Sequence, residues 1–166
     1  VLIINTGARG EGTQFVPEDM EVCPGSANVL DPEFDSRTGR MVFSDAQQRL
    51  KIAAIRSDGR IASPLCKGTI IDSGLLLSMP GINLLNGAEW GRSENGTDIY
   101  YTKLNDQGNS TLARAWQDVS WRTEFLPNGE ERGLPLPSIG PGDSQVRLLY
   151  FRQKGEDSYE ILWRES

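Results

Sequence analysis

Short apolar runs recur along this chain and are separated by polar segments rich in Gly, Pro, Asn and Asp. Apolar runs of this length are typical of β-strands, and the polar segments between them are typical of tight turns. Strands are predicted at 40–44, 50–56, 65–71, 97–104, 110–116, 145–151 and 158–164. Because no segment keeps a helical period over a useful length, the pattern predicts an all-β protein.

The order of strands and turns repeats along the chain. Residues 24–34 are matched by 80–90, and more loosely by 127–129 followed by 136–139. Each match leads into a turn, a strand, a second turn and a further strand. The repeat aligns two sets of three residues, Phe34 with Trp90 and Ile139, and Phe43 with Tyr100 and Tyr150. Self-similarity of this kind predicts stacked supersecondary units of roughly 50 residues.

Four short strands in a unit of this length describe one blade of a β-propeller. We therefore predict a single β-propeller-like domain over 1–166, with blade equivalents at 1–30 (partial), 31–85, 86–135 and 136–166 (partial). About three four-stranded blade equivalents are then present, whereas propellers use about four to eight blades. The chain is expected to be a fragment of a larger propeller, to assemble with further copies of itself, or to close its sheets differently.

The repeated segments resemble the TolB-type, WD-like β-propeller repeat over about residues 24–166. In that family a Trp or Phe anchor precedes a Ser-Pro-Asp-Gly turn and a strand of the form Ile-x-Phe-x-Ser. The matching stretches are DPEF at 31–34 with GRMVFSD at 39–45 and SDG at 57–59, and AEW at 88–90 with GTDIYYT at 96–102. The chain departs from the family at the Ser-Pro-Asp-Gly turn. The resemblance implies a rigid scaffold whose rim loops bind another protein, with a periplasmic or secreted location slightly favoured.

Charge and composition exclude several classes of function. The net charge is −6, from 17 basic and 23 acidic residues, which argues against nucleic acid as a partner because binding phosphates requires a basic surface. No apolar run is long enough to span a membrane. Cys23 and Cys66 have neither a zinc-binding nor a redox-motif spacing; they are expected to be separate buried thiols or one disulfide. No cofactor is predicted.

Carboxylates are the candidate chemical groups, because the chain contains no His and therefore lacks the usual Ser-His and Cys-His nucleophile systems. Glu33 and Glu89 occupy equivalent places at the start of successive first strands. Held there, they could act as an acid/base pair, or Glu33 could bind a hard cation together with Asp31 or Asp35. The alternative is that each Glu satisfies neighbouring backbone or Arg groups as a repeated structural device.

The four tryptophans divide into two groups. Trp90 and Trp163 fall on repeated positions and Trp116 aligns with Trp163, so these three are expected to pack in the core. Trp121 lies outside the repeat beside Arg122, and this pair is the candidate ligand-binding platform, for example for a sugar ring. Core or edge packing of Trp121 is the alternative.

The hypothesis that follows is a non-catalytic β-propeller scaffold that binds another protein, further copies of itself or the rest of a longer chain. Two alternatives stay open. One is a carbohydrate-active propeller lyase or hydrolase that uses Glu33 and Glu89. The other is a structural subunit that completes a ring by oligomerisation.

Overall fold

The computed structural model of the chain describes most of residues 29–54 and 98–165, together with shorter segments. The described residues are 2–4, 20–22, 29–35, 37–45, 47–54, 68–73, 87–91, 98–130, 132–138, 147–155 and 158–165. Within these ranges the chain forms β-strands and turns and no helix. The sheets are antiparallel, and one of them is strongly curled. The prediction of an all-β protein is therefore confirmed.

Thirteen strands are present in the described ranges. They are β1 (Leu2–Ile4), β2 (Met20–Val22), β3 (Val29–Asp35), β4 (Arg40–Asp45), β5 (Leu50–Ala54), β6 (Thr69–Asp72), β7 (Glu89–Trp90), β8 (Ile99–Leu104), β9 (Ser110–Gln117), β10 (Trp121–Glu130), β11 (Arg132–Ser138), β12 (Arg147–Gly155) and β13 (Ser158–Glu165). All seven strands predicted from the apolar runs have a counterpart here.

The strands form meanders in chain order. Sheet I contains β3–β4–β5–β6, sheet II contains β7–β8–β9–β10, and sheet III contains β11–β12–β13, while β1 pairs with β2 in a separate two-stranded sheet. Sheets I and II are therefore four-stranded units, as the repeat predicts, and sheet III is a three-stranded unit. The arrangement of these units as propeller blades stays a prediction.

The three sheets form consecutive layers, with sheet II in the middle. Strand β3 contacts β7, and β6 contacts β10, so sheets I and II lie with first strand beside first strand and last beside last. Strand β11 contacts β7, β8 and β9. One core cluster fills the space between sheets I and II, and it includes Val42, Ile52, Trp90 and Tyr101. A second cluster, with Tyr100, Leu112, Leu148 and Tyr150, lies between sheets II and III.

The middle strand β8 shows how alternation places side chains in both layers. Ile99 and Tyr101 belong to the cluster shared with sheet I, and Tyr100 belongs to the cluster shared with sheet III. Successive side chains of a strand point to opposite faces, so a strand covered on both sides has buried residues without a break. The burial of Ile99 through Thr102 follows directly.

This alternation corrects the predicted alignment of Phe43, Tyr100 and Tyr150 by one residue. Val42 packs against sheet II, so Phe43 faces away from it, and Tyr150 faces sheet II from the other side. Both therefore point in the same direction along the stack of sheets, opposite to the order of the sheets in the chain. In sheet II the residue that points toward the preceding layer is Tyr101, not Tyr100. Aromatic residues at two adjacent positions concealed the shift in the sequence.

One further expectation, the core position of Trp163, is wrong. Residues 127–129, the loose match to the repeat, lie inside β10, the last strand of sheet II, at a bulge between Phe125 and Glu130 where Asn128 adopts φ 53°. The third unit begins with β11 at Arg132. Trp163 does not pack in the core, because it lies on the face of sheet III that points away from sheet II and is 62% exposed.

Candidate functional site

A bulge in β3 shapes the acidic end of the first strand. Leu30 pairs with Ser44 and Glu33 pairs with Val42, so β3 has one residue more than β4 over this interval. Asp31 takes up the extra residue with φ 49°, a left-handed conformation that Asp tolerates better than most residues. The bulge places Glu33 on the face of sheet I that points toward sheet II, where Val42 also lies.

The first strands of all three sheets meet around one pocket. Trp90 in β7 donates its indole Nε1–H to the main-chain carbonyl of Glu33 in β3, over 3.1 Å, and β11 contacts β7. The pocket has a volume of about 320 Å³, and its lining residues are Glu33, Phe34, Asp35, Arg37, Glu89, Trp90 and Pro137. Three acidic residues, one arginine and two aromatic residues therefore contribute to a single cavity.

One of the carboxylates is neutralised within the chain. Arg37 donates from Nε to Asp35 Oδ1 over 2.9 Å, and Thr38 donates its hydroxyl to Asp35 Oδ2 over 2.8 Å. Burial alone would raise the pKa of Asp35, but these hydrogen bonds outweigh it and hold the pKa below its ordinary value. Arg37 also donates from Nη2 to the carbonyl of Gly91 over 2.8 Å, which fixes the guanidinium between sheets I and II.

Glu33 has the opposite electrostatic environment. Partial burial raises its pKa, and the negative charge of Asp31 raises it further. Burial also raises the pKa of Asp31, although a hydrogen bond from the backbone N–H of Gly87 works against the shift. No cationic side chain among the described residues forms an ion pair with Glu33. The pocket therefore holds a carboxylate whose charge is destabilised rather than compensated.

The structure brings Glu33 and Glu89 together, as their equivalent positions in the repeat suggest. Glu33 pairs with Val42 and Glu89 pairs with Tyr100, and each of these partners points toward the following sheet. Both glutamates line the pocket. An acid/base role for them stays a prediction.

The metal-binding alternative gains no support from the described part of the chain. No group of three or more acidic or sulfur-bearing side chains there is arranged to hold a metal ion. Of the candidate ligands, Asp35 lines the pocket together with Glu33, but its two oxygens accept hydrogen bonds from Arg37 and Thr38. Asp31 does not line the pocket.

The Trp121–Arg122 pair lies elsewhere. Trp121 is partly buried and packs against the core cluster between sheets I and II. Arg122 is exposed, with its guanidinium 3.5 Å from the carboxylate of Asp118. Neither residue lines the pocket. Core packing, the alternative to a ligand-binding platform, therefore describes Trp121 in the structure.

Sequence reasoning missed Arg37 and Pro137, which also line the pocket. Arg37 stands in a polar turn and Pro137 in a loosely matched repeat segment, so neither carried a signal of its own. Trp90 was predicted to be core, and it is buried, yet it also contributes to the pocket wall. The signal that could have revealed Arg37 is its position two residues after Asp35, a spacing that permits a local ion pair in a turn.

No protein-family model, no curated protein and no solved structure matches this chain. The TolB-type resemblance therefore depends on the residues of the chain alone. Cys23, Cys66 and Ile139 lie outside the described residues. No helix in the described segments has the length and apolar character needed to cross a membrane.

Proposed function

We propose that this chain is a non-catalytic, propeller-type β-repeat scaffold that binds another protein, and that the pocket at the first strands receives a positively charged side chain of that partner. The observation that carries the proposal is the pocket itself, to which the first strand of each sheet contributes. In a propeller the first strands line the central channel, where ligands and partner segments bind.

The layered arrangement supports the propeller part of the proposal. Two four-stranded meanders and one three-stranded meander follow one another in chain order. Sheet I packs on sheet II with first strand beside first strand, and sheet III packs on sheet II through β11, which contacts β8 and β9 as well as β7. Repeated meanders in this order are what the TolB-type resemblance implies.

The charges in the pocket support a cationic ligand. Arg37 compensates Asp35, while Glu33, which forms no ion pair with a described cationic side chain, adds a further negative group to the lining. A guanidinium or ammonium group that enters beside Glu33 would stabilise the charged form of a carboxylate that burial now disfavours. Trp90 supplies an aromatic wall against which such a cation can stack.

A peptide selection tests this proposal. A random peptide library is selected against the protein, and the affinity of an enriched peptide is measured by calorimetry before and after its cationic residue is exchanged for citrulline or norleucine. We expect enrichment of Arg or Lys at one position. We also expect at least a tenfold loss of affinity on neutralising that residue, because a charge-assisted hydrogen bond contributes about 1.5 to 3 kcal/mol.

Matched variants locate the binding site. Glu33→Gln is expected to lower the affinity of the protein for the selected peptide by about tenfold. Glu124→Gln, which changes a half-exposed carboxylate on β10 outside the pocket, should leave its affinity unchanged. Enriched peptides without a basic residue, or equal losses in the two variants, would contradict a cation-binding pocket.

A second candidate function is favoured by one observation. Glu33, with a raised pKa, shares the pocket with Glu89 and Trp90. Glycoside-cleaving enzymes usually use a carboxylic acid with a raised pKa together with a second carboxylate. They usually bind the sugar ring on an aromatic side chain. The alternative is therefore a carbohydrate-active lyase or hydrolase.

The two candidates are separated by turnover. Wild-type protein, Glu33→Gln and Glu89→Gln are incubated with a panel of oligosaccharides, and the products are followed by mass spectrometry. The enzyme hypothesis predicts cleavage by the wild type and a loss of at least a hundredfold in each variant, the usual scale of a lost acid or base. Selected peptides that bind the wild type, with no glycan cleaved by any form, would exclude the enzyme and retain the scaffold.

A further inference from the structure

The peptide bond between Asp31 and Pro32 lies inside the bulge of β3. Pairing with β4 stops at Leu30 and resumes at Glu33, so the sheet holds the chain on both sides of this bond but not at the bond itself. Pro32 has no backbone N–H to donate to a neighbouring strand, and it is exposed. The bond is therefore fixed from both sides and lies beside solvent.

The backbone of Asp31 departs from two conformational preferences at once. Its φ of 49° is left-handed, which brings Cβ close to the following carbonyl oxygen. A residue that precedes Pro is also driven toward extended backbone by contact with the proline ring. Three described non-glycine residues have a positive φ, Asp31, Gln48 and Asn128, and only Asp31 precedes a Pro. Strain of this kind is concentrated at functional sites.

The side chain of Asp31 is held in place and retains its proton more readily than an ordinary Asp. Its carboxyl group accepts a hydrogen bond from the backbone N–H of Gly87. Burial nevertheless raises the pKa of Asp31. No cationic side chain among the described residues forms an ion pair with it. The bulge therefore positions a carboxylic acid directly beside a strained peptide bond.

Pro32 suits this bond to cleavage rather than to rearrangement. After other residues, the backbone nitrogen that follows an Asp can lose its proton and attack the Asp side chain, which forms a succinimide. Pro32 has no such proton, so this competing reaction of Asp31 is blocked. The sequence contains no other Asp-Pro pair. A reaction of this type is therefore directed to one bond in the chain.

We propose that the bond between Asp31 and Pro32 is a self-cleavage site, at which the carboxyl group of Asp31 cuts its own main chain. The carboxyl oxygen adds to the main-chain carbonyl carbon of the same residue and closes a five-membered ring. The bond from that carbon to the Pro32 nitrogen then breaks, and the nitrogen keeps the electron pair and takes up the carboxyl proton. This activity goes beyond the proposed pocket function and does not depend on it.

Water completes the reaction. The first step leaves Asp31 as a cyclic anhydride and Pro32 as the secondary amine of a new N-terminus. One water molecule opens the anhydride, so that Asp31 ends with two carboxyl groups. The sum is hydrolysis of one peptide bond, and it divides the chain into residues 1–31 and 32–166. Because β4 pairs with β3 on both sides of the bond, we expect the two fragments to stay associated until the protein is denatured.

The fold should make this bond more reactive than Asp-Pro in an unfolded chain, which acid hydrolyses slowly by the same route. Strain of the size found at a left-handed residue accelerates the reaction about tenfold if it is released as the bond breaks. The hydrogen bond from Gly87 adds to this by restricting the carboxyl group before the reaction. We therefore expect cleavage at least tenfold faster in the folded chain than in the unfolded chain at the same pH.

The charged groups around Asp31 set the direction of the pH dependence. Strand β4 carries Arg40 and Asp45, each bonded to another side chain, and β7 carries Glu89, which lines the pocket. Among the described residues, Glu33 on β3 itself is the one whose charge interacts with that of Asp31. Because the departing nitrogen takes up the carboxyl proton, cleavage should be faster at about pH 5 than at about pH 7.

Intact-mass spectrometry of the whole chain tests the proposal. The purified protein is incubated at about pH 5 and about pH 7, with and without urea sufficient to unfold it, and the fragments 1–31 and 32–166 are quantified over time. Asp31→Asn and Pro32→Ala are each expected to slow cleavage at least tenfold. Asp106→Asn, in an exposed turn, is the matched control and should cleave like the wild type. Hydroxylamine added during the reaction should be recovered as a hydroxamate on Asp31, because it traps the anhydride.

Circular dichroism identifies any variant that fails to fold, and the comparison of folded and unfolded wild type needs no variant. A folded chain that stays intact, or that is cleaved no faster than the unfolded chain, would overturn the proposal. Cleavage that continues unchanged in Asp31→Asn would also overturn it, because a contaminating protease would then be the cause. So would equal rates at the two pH values, since the carboxyl proton would then have no part in the reaction.

Discussion

Trp90 in β7 and Glu33 in β3 are joined by a hydrogen bond from the indole Nε1–H to the main-chain carbonyl, over 3.1 Å. The two residues are 57 positions apart, and each lies on the first strand of its sheet. The bond therefore connects the edges of sheets I and II at the pocket. Since Trp90 is buried, its indole N–H is removed from water and would be costly to leave unpaired.

Trp90→Phe tests this connection. The substitution keeps an aromatic ring in the core but removes the donor, so the carbonyl of Glu33 loses its partner and the smaller ring leaves a void. We expect a loss of about 2 to 4 kcal/mol in the free energy of unfolding, measured by urea titration. Trp163→Phe is the control: its exposed indole should change stability by less than about 0.5 kcal/mol.

The middle strands of sheets I and II could be predicted because the apolar runs are short and their turns carry strong local signals. Residues 105–109 show this well: Asn105 Oδ1 accepts from the backbone N–H of Gln107 and Asn109, as Asn does in tight turns. β10 was missed because Pro127 and Gly129 are turn-forming residues, whereas here they lie in the bulge of a strand. Pairing with β9 outweighed the local preference of Pro127 and Gly129 for a turn.

The composition of the pocket could be predicted only in part. Glu33 and Glu89 were found because the repeat places them at equivalent positions of first strands. Arg37 was not, because its contact with the carbonyl of Gly91 connects residues 54 positions apart and depends on how sheet I lies against sheet II. Trp163 was expected in the core because it falls on a repeated aromatic position. Such a position is buried only where a further sheet covers it, and the repeat does not show whether that sheet is present.

The carboxylate of Asp45 makes the free energy of unfolding depend on pH in the acidic range. Its carboxylate accepts from Arg49 over 2.6 and 2.8 Å and lies 3.0 Å from Lys51 Nζ. Burial would raise its pKa, but these partners lower it to about 2, below the ordinary 3.8. The carboxylate therefore contributes stability that is present above pH 3.8 and is lost as the pH falls toward 2.

Asp45→Asn removes this contribution. We expect it to lower the free energy of unfolding at pH 7 by about 1 to 2 kcal/mol, since the bonds to Arg49 and Lys51 lose their charge while the turn N–H groups keep an acceptor. Between pH 4 and pH 2 the variant should lose less stability than the wild type. Urea titrations by Trp fluorescence measure both effects. Asp106→Asn, in an exposed turn, serves as the control, and an identical pH profile for wild type and Asp45→Asn would contradict the assignment.

Gly68 is required for two separate reasons. Its φ is +46°, and an added Cβ would lie 2.9 Å from Phe43 Cζ and 3.1 Å from the carbonyl oxygen of Ile52. Gly108 also has a positive φ, +80°, but a Cβ there would meet nothing within 4 Å. The two positions therefore separate backbone strain from steric overlap.

Alanine at each position measures the two costs. Gly108→Ala should destabilise the protein by about 1 kcal/mol, the cost of a left-handed conformation for a residue with a Cβ. Gly68→Ala should destabilise it by about 2 to 4 kcal/mol, because Phe43 is fully buried and cannot move without disturbing the core. Thermal unfolding of the two variants side by side provides the comparison. Equal losses would mean that the region around Gly68 relaxes without cost.

Tyr101 in β8 connects sheet II to β6, the last strand of sheet I, through a buried polar contact. Its hydroxyl donates to Asp72 Oδ2 over 2.5 Å, and Lys103 Nζ lies 2.9 Å from the same oxygen. Burial raises the pKa of Tyr101 above its ordinary value of 10.0, and the charge of Asp72 raises it further. Because the raised pKa belongs to the folded state, the stabilisation is complete below pH 10 and is lost as the pH rises above it.

Tyr101→Phe should therefore change both stability and titration. At pH 7 we expect a loss of about 1.5 to 3 kcal/mol, because Asp72 keeps its charge and its burial but loses a donor. In the wild type this phenol should ionise only as the protein unfolds at high pH, and the variant should show one tyrosine fewer in that late step, followed by phenolate absorbance. A cycle with Asp72→Asn isolates the pair, since the second change should cost less once the first has been made. Strictly additive losses would show that the contact contributes no stability of its own.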